Sequence, residues 1–337
     1  MYVLQSRIGG QEVRKSKLRF NCSKPRQLDA GTKGIKVVYA PWPPKQKAQA
    51  ELKQRYIAGA VFADIDAIRD QSNPLPLMFP GPDQFEQQIG QLGISNTDHV
   101  IVYDNASDTG TLSAPRAWLM FRVFGHEKVS VLDGGLPKWI ASGYPTVSDI
   151  TPVSPTNFKA CYNPIAVYSM EAMLDNFSSK DRSVIDARSK GRFNGTEPEV
   201  IPAWLSGHII GSTNVPSTDL LDPTTMQFIS KEAIKDTFQT YGVNLDQPAV
   251  AMCSIGMRAS ILVLGAHILG KQVPLYDSNL LCVRSRWLTS PKWTVASRGP
   301  DVSNWMLEAM PSVRGHDGRH HRSGPRLVGT LMFQTGC

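Results

Sequence analysis

Cysteine is scarce in this sequence: five residues in a chain of 337, an odd number, at Cys22, Cys161, Cys253, Cys282 and Cys337. Such spacing excludes a disulfide framework and a CxxC metal knuckle, and it fits a reducing compartment. A long apolar run is missing too. The most apolar stretch, Ile261 to Leu269, is interrupted by Gly265 and His267 and falls far short of the roughly 18 residues that span a bilayer, so no membrane partner is expected. The N-terminus has no secretory apolar segment. Acids are rare at both ends: residues 1–36 hold nine Lys/Arg against Glu12 and Asp29, and residues 284–337 hold eight against three acids. The middle keeps nineteen bases and twenty-four acids, so the net charge of +7 belongs to the termini. A mildly acidic body argues against a nucleic-acid face built into the fold. The basic leader reads either as an organellar transit peptide or as a plain disordered segment, so a mitochondrial or cytoplasmic location is expected.

What remains is a globular α/β pattern. Apolar residues make up 41% of the chain, enough for a sizeable core, and the length suggests roughly two domains of 100–200 residues. Short apolar runs predict strands at Ile35–Tyr39, His99–Tyr103, Val129–Leu132, Ser183–Asp186, Ala249–Cys253 and Gln272–Tyr276. Between them, helical patterns cover Pro82–Leu92, Ala114–Phe124, Leu136–Ala141, Ser169–Asn176, Lys231–Tyr241 and Met257–Leu269. This alternation is that of a mostly parallel sheet flanked by helices.

The pattern occurs twice. Val37-Val38-Tyr39 parallels Val184-Ile185-Asp186, Tyr56-Ile57-Ala58-Gly59 parallels His208-Ile209-Ile210-Gly211, and Val131-Leu132-Asp133 parallels Leu275-Tyr276-Asp277. Two tandem α/β domains follow. Residues 1–34 read as a disordered basic leader, 35–148 as the first domain, 149–168 as a Pro-, Ser- and Thr-rich linker, 169–290 as the second domain and 291–337 as a basic tail.

The copies differ where chemistry would sit. After the central strand the first copy offers Asp104 and the second offers Cys253-Ser254-Ile255-Gly256-Met257-Arg258. A loop leading into a helix gathers backbone N–H groups that lack intrahelical partners, and these favour a thiolate. Gly256 allows the tight turn of a semicircular cradle. The bland alternative is a buried Cys closing a strand. Four residues separate Cys253 from Arg258, which suits a single sulfur atom better than the wider cradle of a cysteine phosphatase.

These residues resemble the rhodanese superfamily, in particular its tandem-domain thiosulfate and 3-mercaptopyruvate sulfurtransferases. The likeness is carried by Ser113-Ala114-Pro115-Arg116-Ala117-Trp118, Phe121-Arg122-Val123-Phe124-Gly125-His126, Leu132-Asp133-Gly134-Gly135, Gly191-Arg192-Phe193-Asn194-Gly195-Thr196-Glu197-Pro198-Glu199 and Gly207-His208-Ile209-Ile210-Gly211-Ser212. It implies two rhodanese-like domains, the second catalytic, and a cofactor-free, metal-free enzyme. In that family a cysteine takes sulfur from a small anionic donor as a persulfide and passes it to a thiol, cyanide or thioredoxin-like acceptor. Cys253 is the matching position. Arg192 matches the arginine that holds the donor's anionic end, with pairing to Glu197 or Glu199 as the alternative. Arg188 is counted with it among the substrate-binding residues, and is expected to brace the loop through an acid such as Asp277. Asp66 matches the acid of a proposed proton relay, or else caps a helix.

Departures from the family pattern bear on the donor. Leu77 occupies the relay's histidine position and Ile255 the loop serine's, although Ser254 keeps a hydroxyl. A second donor-binding arginine is missing at Val200-Ile201, the residues after Cys253 are not basic, and Arg258 stands where the tandem members carry Thr or Ser. His316, His320 and His321 lie in the basic tail without acidic or Cys partners at ligand spacing, and read as solvated residues. An active sulfurtransferase is the leading expectation. A degenerate binding relative with little turnover is the alternative, and a cysteine phosphatase a more distant one.

Overall fold

A computed structural model of the chain describes residues 2–5, 15–17, 34–41, 55–105, 113–148, 153–199 and 207–277. The first domain begins with strands β1 (Tyr2–Gln5), β2 (Lys15–Lys17), β3 (Ile35–Tyr39) and β4 (Val61–Phe62). Helices α1 (Ile65–Ile68) and α2 (Pro82–Gln91), strand β5 (His99–Tyr103), helix α3 (Ser113–Val123), strand β6 (Val129–Leu132) and helix α4 (Gly135–Ala141) complete it. The second domain holds β7 (Val167–Tyr168), α5 (Met170–Ser179), β8 (Ser183–Asp186), α6 (Lys190–Asn194) and β9 (Thr213–Asn214). It continues through α7 (Lys231–Thr240), β10 (Ala249–Met252), α8 (Met257–Ile268) and β11 (Leu275–Tyr276).

The repeat is visible in the strand order. One sheet runs β2-β1-β6-β5-β3-β4 and the other β7-β11-β10-β8-β9. In both, the last four strands follow the same parallel sequence, β6-β5-β3-β4 matching β11-β10-β8-β9. Every residue of β6 and β10 is buried, as parallel strands covered on both faces must be. Helices supply the cover through apolar residues four positions apart: Phe85 and Ile89 on α2, Ile234 and Phe238 on α7. Pro82 at the start of α2 and Ser230 capping Ala233 N–H before α7 set where these helices begin.

Helix α8 is buried nearly all round, through Ile261, Leu262, Val263, Leu264, Ala266 and Ile268. One continuous core contains residues of α3 and α8 together, with strands of both sheets. Within the second domain Gly265 makes room for Leu220 against α8: a Cβ there would stand 2.4 Å from Leu220 Cδ2. Between α3 and α8 the Trp118 and His267 rings meet at 5.1 Å.

Two expectations need correction. The leader is expected to be disordered, but its residues Tyr2–Gln5 and Lys15–Lys17 form strands: β1 pairs antiparallel with β6, and β2 with β1. The physical reason is the open edge of β6, whose N–H and C=O groups would otherwise lack partners. Nor is the linker a free tether. Thr156 N–H donates to the Gly90 carbonyl, Ala160 N–H to Glu86 and Asn163 N–H to the Val123 carbonyl, while Phe158 is buried. A strap that buries an aromatic ring and satisfies its backbone on α2 and α3 gains more than a solvated coil does. The basic tail and its three histidines lie outside the described residues, as do Val200 and Ile201.

Candidate active site

At the end of β5 the Asp104 carboxylate accepts from the backbone N–H groups of Ser113 (3.1 Å) and Ala114 (2.9 Å), so the start of α3 is capped from within. The equivalent place in the second copy is different. There β10 ends at Met252, Cys253 follows, and α8 starts on Gly256, which brings no capping side chain. The amide groups that the first copy spends on a carboxylate remain available to whatever charge develops beside Cys253. Cys253, Ser254 and Met257 are buried, whereas Ile255 and Arg258 are half-buried. Gly256 has φ +77°, a left-handed conformation that costs glycine little.

Arg192, on α6, donates through Nη2 to Ser254 Oγ at 2.7 Å and to Glu199. Its Nε is buried and finds no hydrogen-bond partner among the described residues. Ser254 in turn donates to Glu199 Oε2 at 2.6 Å. Of the two alternatives expected for Arg192, the acid pairing is present, with Glu199, while its Nε donor is left over.

Arg188 stands elsewhere than expected. It forks onto Asp186 through Nε (3.0 Å) and Nη2 (2.6 Å), and also reaches Glu199 Oε1 (2.6 Å) and the Gly207 carbonyl (2.7 Å). Arg188 and Asp186 are fully buried. With its nitrogens so engaged, Arg188 braces the site from behind and does not face a donor, and its acids are Asp186 and Glu199 rather than Asp277. Asp277 is taken by the first domain, where Arg116 Nη2 lies 2.7 Å from Oδ1 and Phe79 N–H donates to Oδ2 at 2.8 Å.

The relay positions are disposed as follows. Asp66 forms an ion pair with Arg69 at 3.1 Å on a partly exposed surface, and Asp64 rather than Asp66 caps α1. Leu77 is buried with φ +63°, an uncommon conformation for a branched side chain. Its carbonyl accepts from Arg116 Nη2. The position thus serves the site through its backbone and offers no proton.

Electrostatically the site is a four-charge network in which Asp186, Arg188 and Glu199 are buried and Arg192 is half-buried, with Arg258 close by. Burial alone would raise the Glu199 pKa, but hydrogen bonds from Arg192, Ser254 and Arg188 outweigh it and hold the carboxyl below the usual glutamate value. Burial depresses the Arg258 guanidinium, nearby Cys253 pulls it back up and Arg192 pushes it down. Both neighbours are therefore within electrostatic reach of Arg258. Because Glu199 titrates lower when folded, it contributes stability that is complete above the usual glutamate value of 4.5 and disappears as pH falls through the folded value. Glu199→Gln is accordingly expected to melt well below the wild type at neutral pH, with the gap closing progressively in acid below about pH 4.5. Thermal melts of both proteins across that range check it, and a gap independent of pH would contradict it.

The sequence gives no sign of the role of Arg116. It lies inside a motif that carries the family resemblance, but nothing local signals that it reaches Asp277, 161 positions away. Glu199 is one of the two acids expected as partners of Arg192, and it pairs with Arg188 as well.

Comparison with known proteins follows the same lines. The model of the rhodanese-like domain matches residues 47–142 and again 169–279. Human 3-mercaptopyruvate sulfurtransferase is 40% identical over 256 residues, covering 76% of this chain and 82% of the relative. Rat thiosulfate sulfurtransferase is 39% identical over 270 residues, covering 79% and 89%. SseA from Escherichia coli, a 3-mercaptopyruvate sulfotransferase of known structure, superposes with a TM-score of 0.66 at 34% identity, covering 74% of this chain and 93% of that one. Near-equal likeness to relatives named for two donors leaves the donor to be argued from the site.

Proposed function

Because this chain belongs to the rhodanese-like family and is a sulfurtransferase, we propose that Cys253 carries the transferred sulfur as a persulfide and that thiosulfate is the favoured donor. The Cys253 thiolate attacks the outer sulfur of thiosulfate. The donor's S–S bond breaks, its electron pair leaves with sulfite, and a Cys253–S–S⁻ group remains. An acceptor thiolate or cyanide then attacks the outer sulfur and restores the Cys253 thiolate, so the cycle needs no external oxidant or reductant. Dividing the transfer in two lowers each barrier. Amide groups at the start of α8 stabilise the negative charge of the persulfide.

The observation that carries this reading is the contrast between the two copies: the first fills its helix start with Asp104, and the second leaves it beside Cys253. Arg192 Nε and Arg258 supply positive charge for an anionic donor. The preference for thiosulfate rests on Leu77. Cleaving the C–S bond of 3-mercaptopyruvate yields an enolate that must take up a proton, and Leu77 has none to give. Sulfite leaves as a stable anion and needs none. Thiols, cyanide or a thioredoxin-like protein are the acceptors of this reading, and a mitochondrial or cytoplasmic compartment keeps the thiolate reduced.

Intact-mass spectrometry of the reduced protein after separate incubation with thiosulfate and with 3-mercaptopyruvate tests it. We expect one added sulfur atom, mapped to the Cys253 peptide, forming faster with thiosulfate. Faster loading by 3-mercaptopyruvate would reverse the donor assignment. No added sulfur from either would remove the persulfide reading and favour a binding relative.

A further inference from the structure

Arg116 is fully buried, yet it bears a charge and belongs to the domain that lacks the cysteine. Its Nη2 is spent on the Leu77 carbonyl and on Asp277. Its Nε and Nη1 are buried and find no hydrogen-bond partner among the described residues. A guanidinium with two orphaned donors in the interior is costly unless something in its surroundings uses the charge. The neighbouring atoms identify what that is. The Phe79 ring centroid lies 3.7 Å from Cζ, and a Cβ on Gly256 would stand 2.6 Å from Nη1 and 3.2 Å from Cζ. Arg116 therefore occupies the space that a side chain at Gly256 would need, directly against the turn between Cys253 and α8. Gly256 is required twice over, by its positive φ and by this guanidinium.

Resting on the persulfide reading above, we propose that Arg116 is a positioning residue of the second-domain site. It holds the Cys253 turn in place from the first domain and lends it a fixed positive charge that favours the thiolate and the persulfide anion. Acting through Gly256, it makes the two domains one catalytic unit. Other charged groups around the loop are Arg258 on α8, Arg192 with Glu199 through Ser254, and Asp277, which also acts on Tyr162. Asp277 opposes the effect of Arg116 on a thiolate, and this opposition separates a charge effect from a merely structural tie.

The test is the pH profile of Cys253 alkylation by iodoacetamide, followed on the Cys253 peptide, in the wild type, Arg116→Met, Arg116→Gln, Arg116→Lys and Asp277→Asn. Arg116→Gln removes the charge, as Arg116→Met does, but keeps a polar amide in the buried site at a shorter reach, so it supplies a second neutral variant if Arg116→Met fails to fold. We expect the midpoint of the profile to rise by about one pH unit in the Met and Gln variants. Arg116→Lys should restore most of that shift. Asp277→Asn breaks the same inter-domain pair yet should leave the midpoint unchanged or lower it. Coincidence of the neutral variants with the wild type would overturn the proposal, as would an equal upward shift in Asp277→Asn. Alkylation needs no sulfur donor, so failure of persulfide loading in the wild type would strike the function proposed above while this measurement still decided the role of Arg116.

Discussion

Cys253→Ser is expected to take up no sulfur from thiosulfate or 3-mercaptopyruvate and to lose roughly 10⁴-fold or more of kcat/KM in sulfur transfer. A serine hydroxyl is not ionised near neutral pH, and its oxygen offers neither the nucleophilicity nor the S–S bond on which the two-step cycle depends. The fold should survive. Cys253 is buried, so the hydroxyl costs about 1–3 kcal/mol, and Cys253→Ala, which buries no polar atom, serves as a second inactive form. Cys161 provides an internal control: it is an exposed thiol on the strap, outside the second-domain loop. Alkylation should find Cys161 in every variant, and thiosulfate should leave it unloaded. Persistent loading in Cys253→Ser, mapped to another cysteine, would move the chemistry off the second-domain loop. The measurement is intact mass with peptide mapping, alongside a steady-state assay of thiocyanate formed from cyanide.

How far residues of this kind can be read without coordinates depends on the range of the interaction. Strands β3, β5, β6, β8 and β10 announce themselves as apolar runs because parallel strands are buried on both faces. The two-residue strands β4, β7 and β9 carry no such signal. They exist because a neighbour's edge recruits them, and that is a tertiary cause. Cys253 stood out as a candidate because a strand, a nucleophile, a glycine and a helix occur in one short segment, whereas Arg192 was reached only through the resemblance to the family. Arg188 was legible as a brace, but its partners were not, since Asp186 lies two positions before it and competes with any distant acid. Arg116 was illegible in its role. Its partners come from two separated segments, Leu77 with Phe79 and Asp277, and only tertiary packing brings them to α3.

The deepest of these charges yields the other large effect. Arg188→Met should destabilise the protein by about 3–5 kcal/mol, because it leaves the carboxylates of Asp186 and Glu199 buried without their shared cation. At roughly 1–2 °C per kcal/mol for a chain of this size, the melting temperature falls by about 4–7 °C. The loss reflects stranded charge more than the net worth of the pair, which a double-mutant cycle can show. Asp186→Leu alone should also be costly, since it strands part of the Arg188 guanidinium. Arg188→Met with Asp186→Leu should cost clearly less than the sum of the two, because the charges leave together. Simple additivity in thermal or urea melts would mean that the buried fork between Asp186 and Arg188 is not the coupled unit its geometry describes. Activity should follow the charge as well as the stability. Without Arg188 the network of two cations and two anions becomes net negative beside the donor. The KM for thiosulfate should then rise in Arg188→Met at temperatures where the variant is still folded, and recover in part when Asp186 is also replaced.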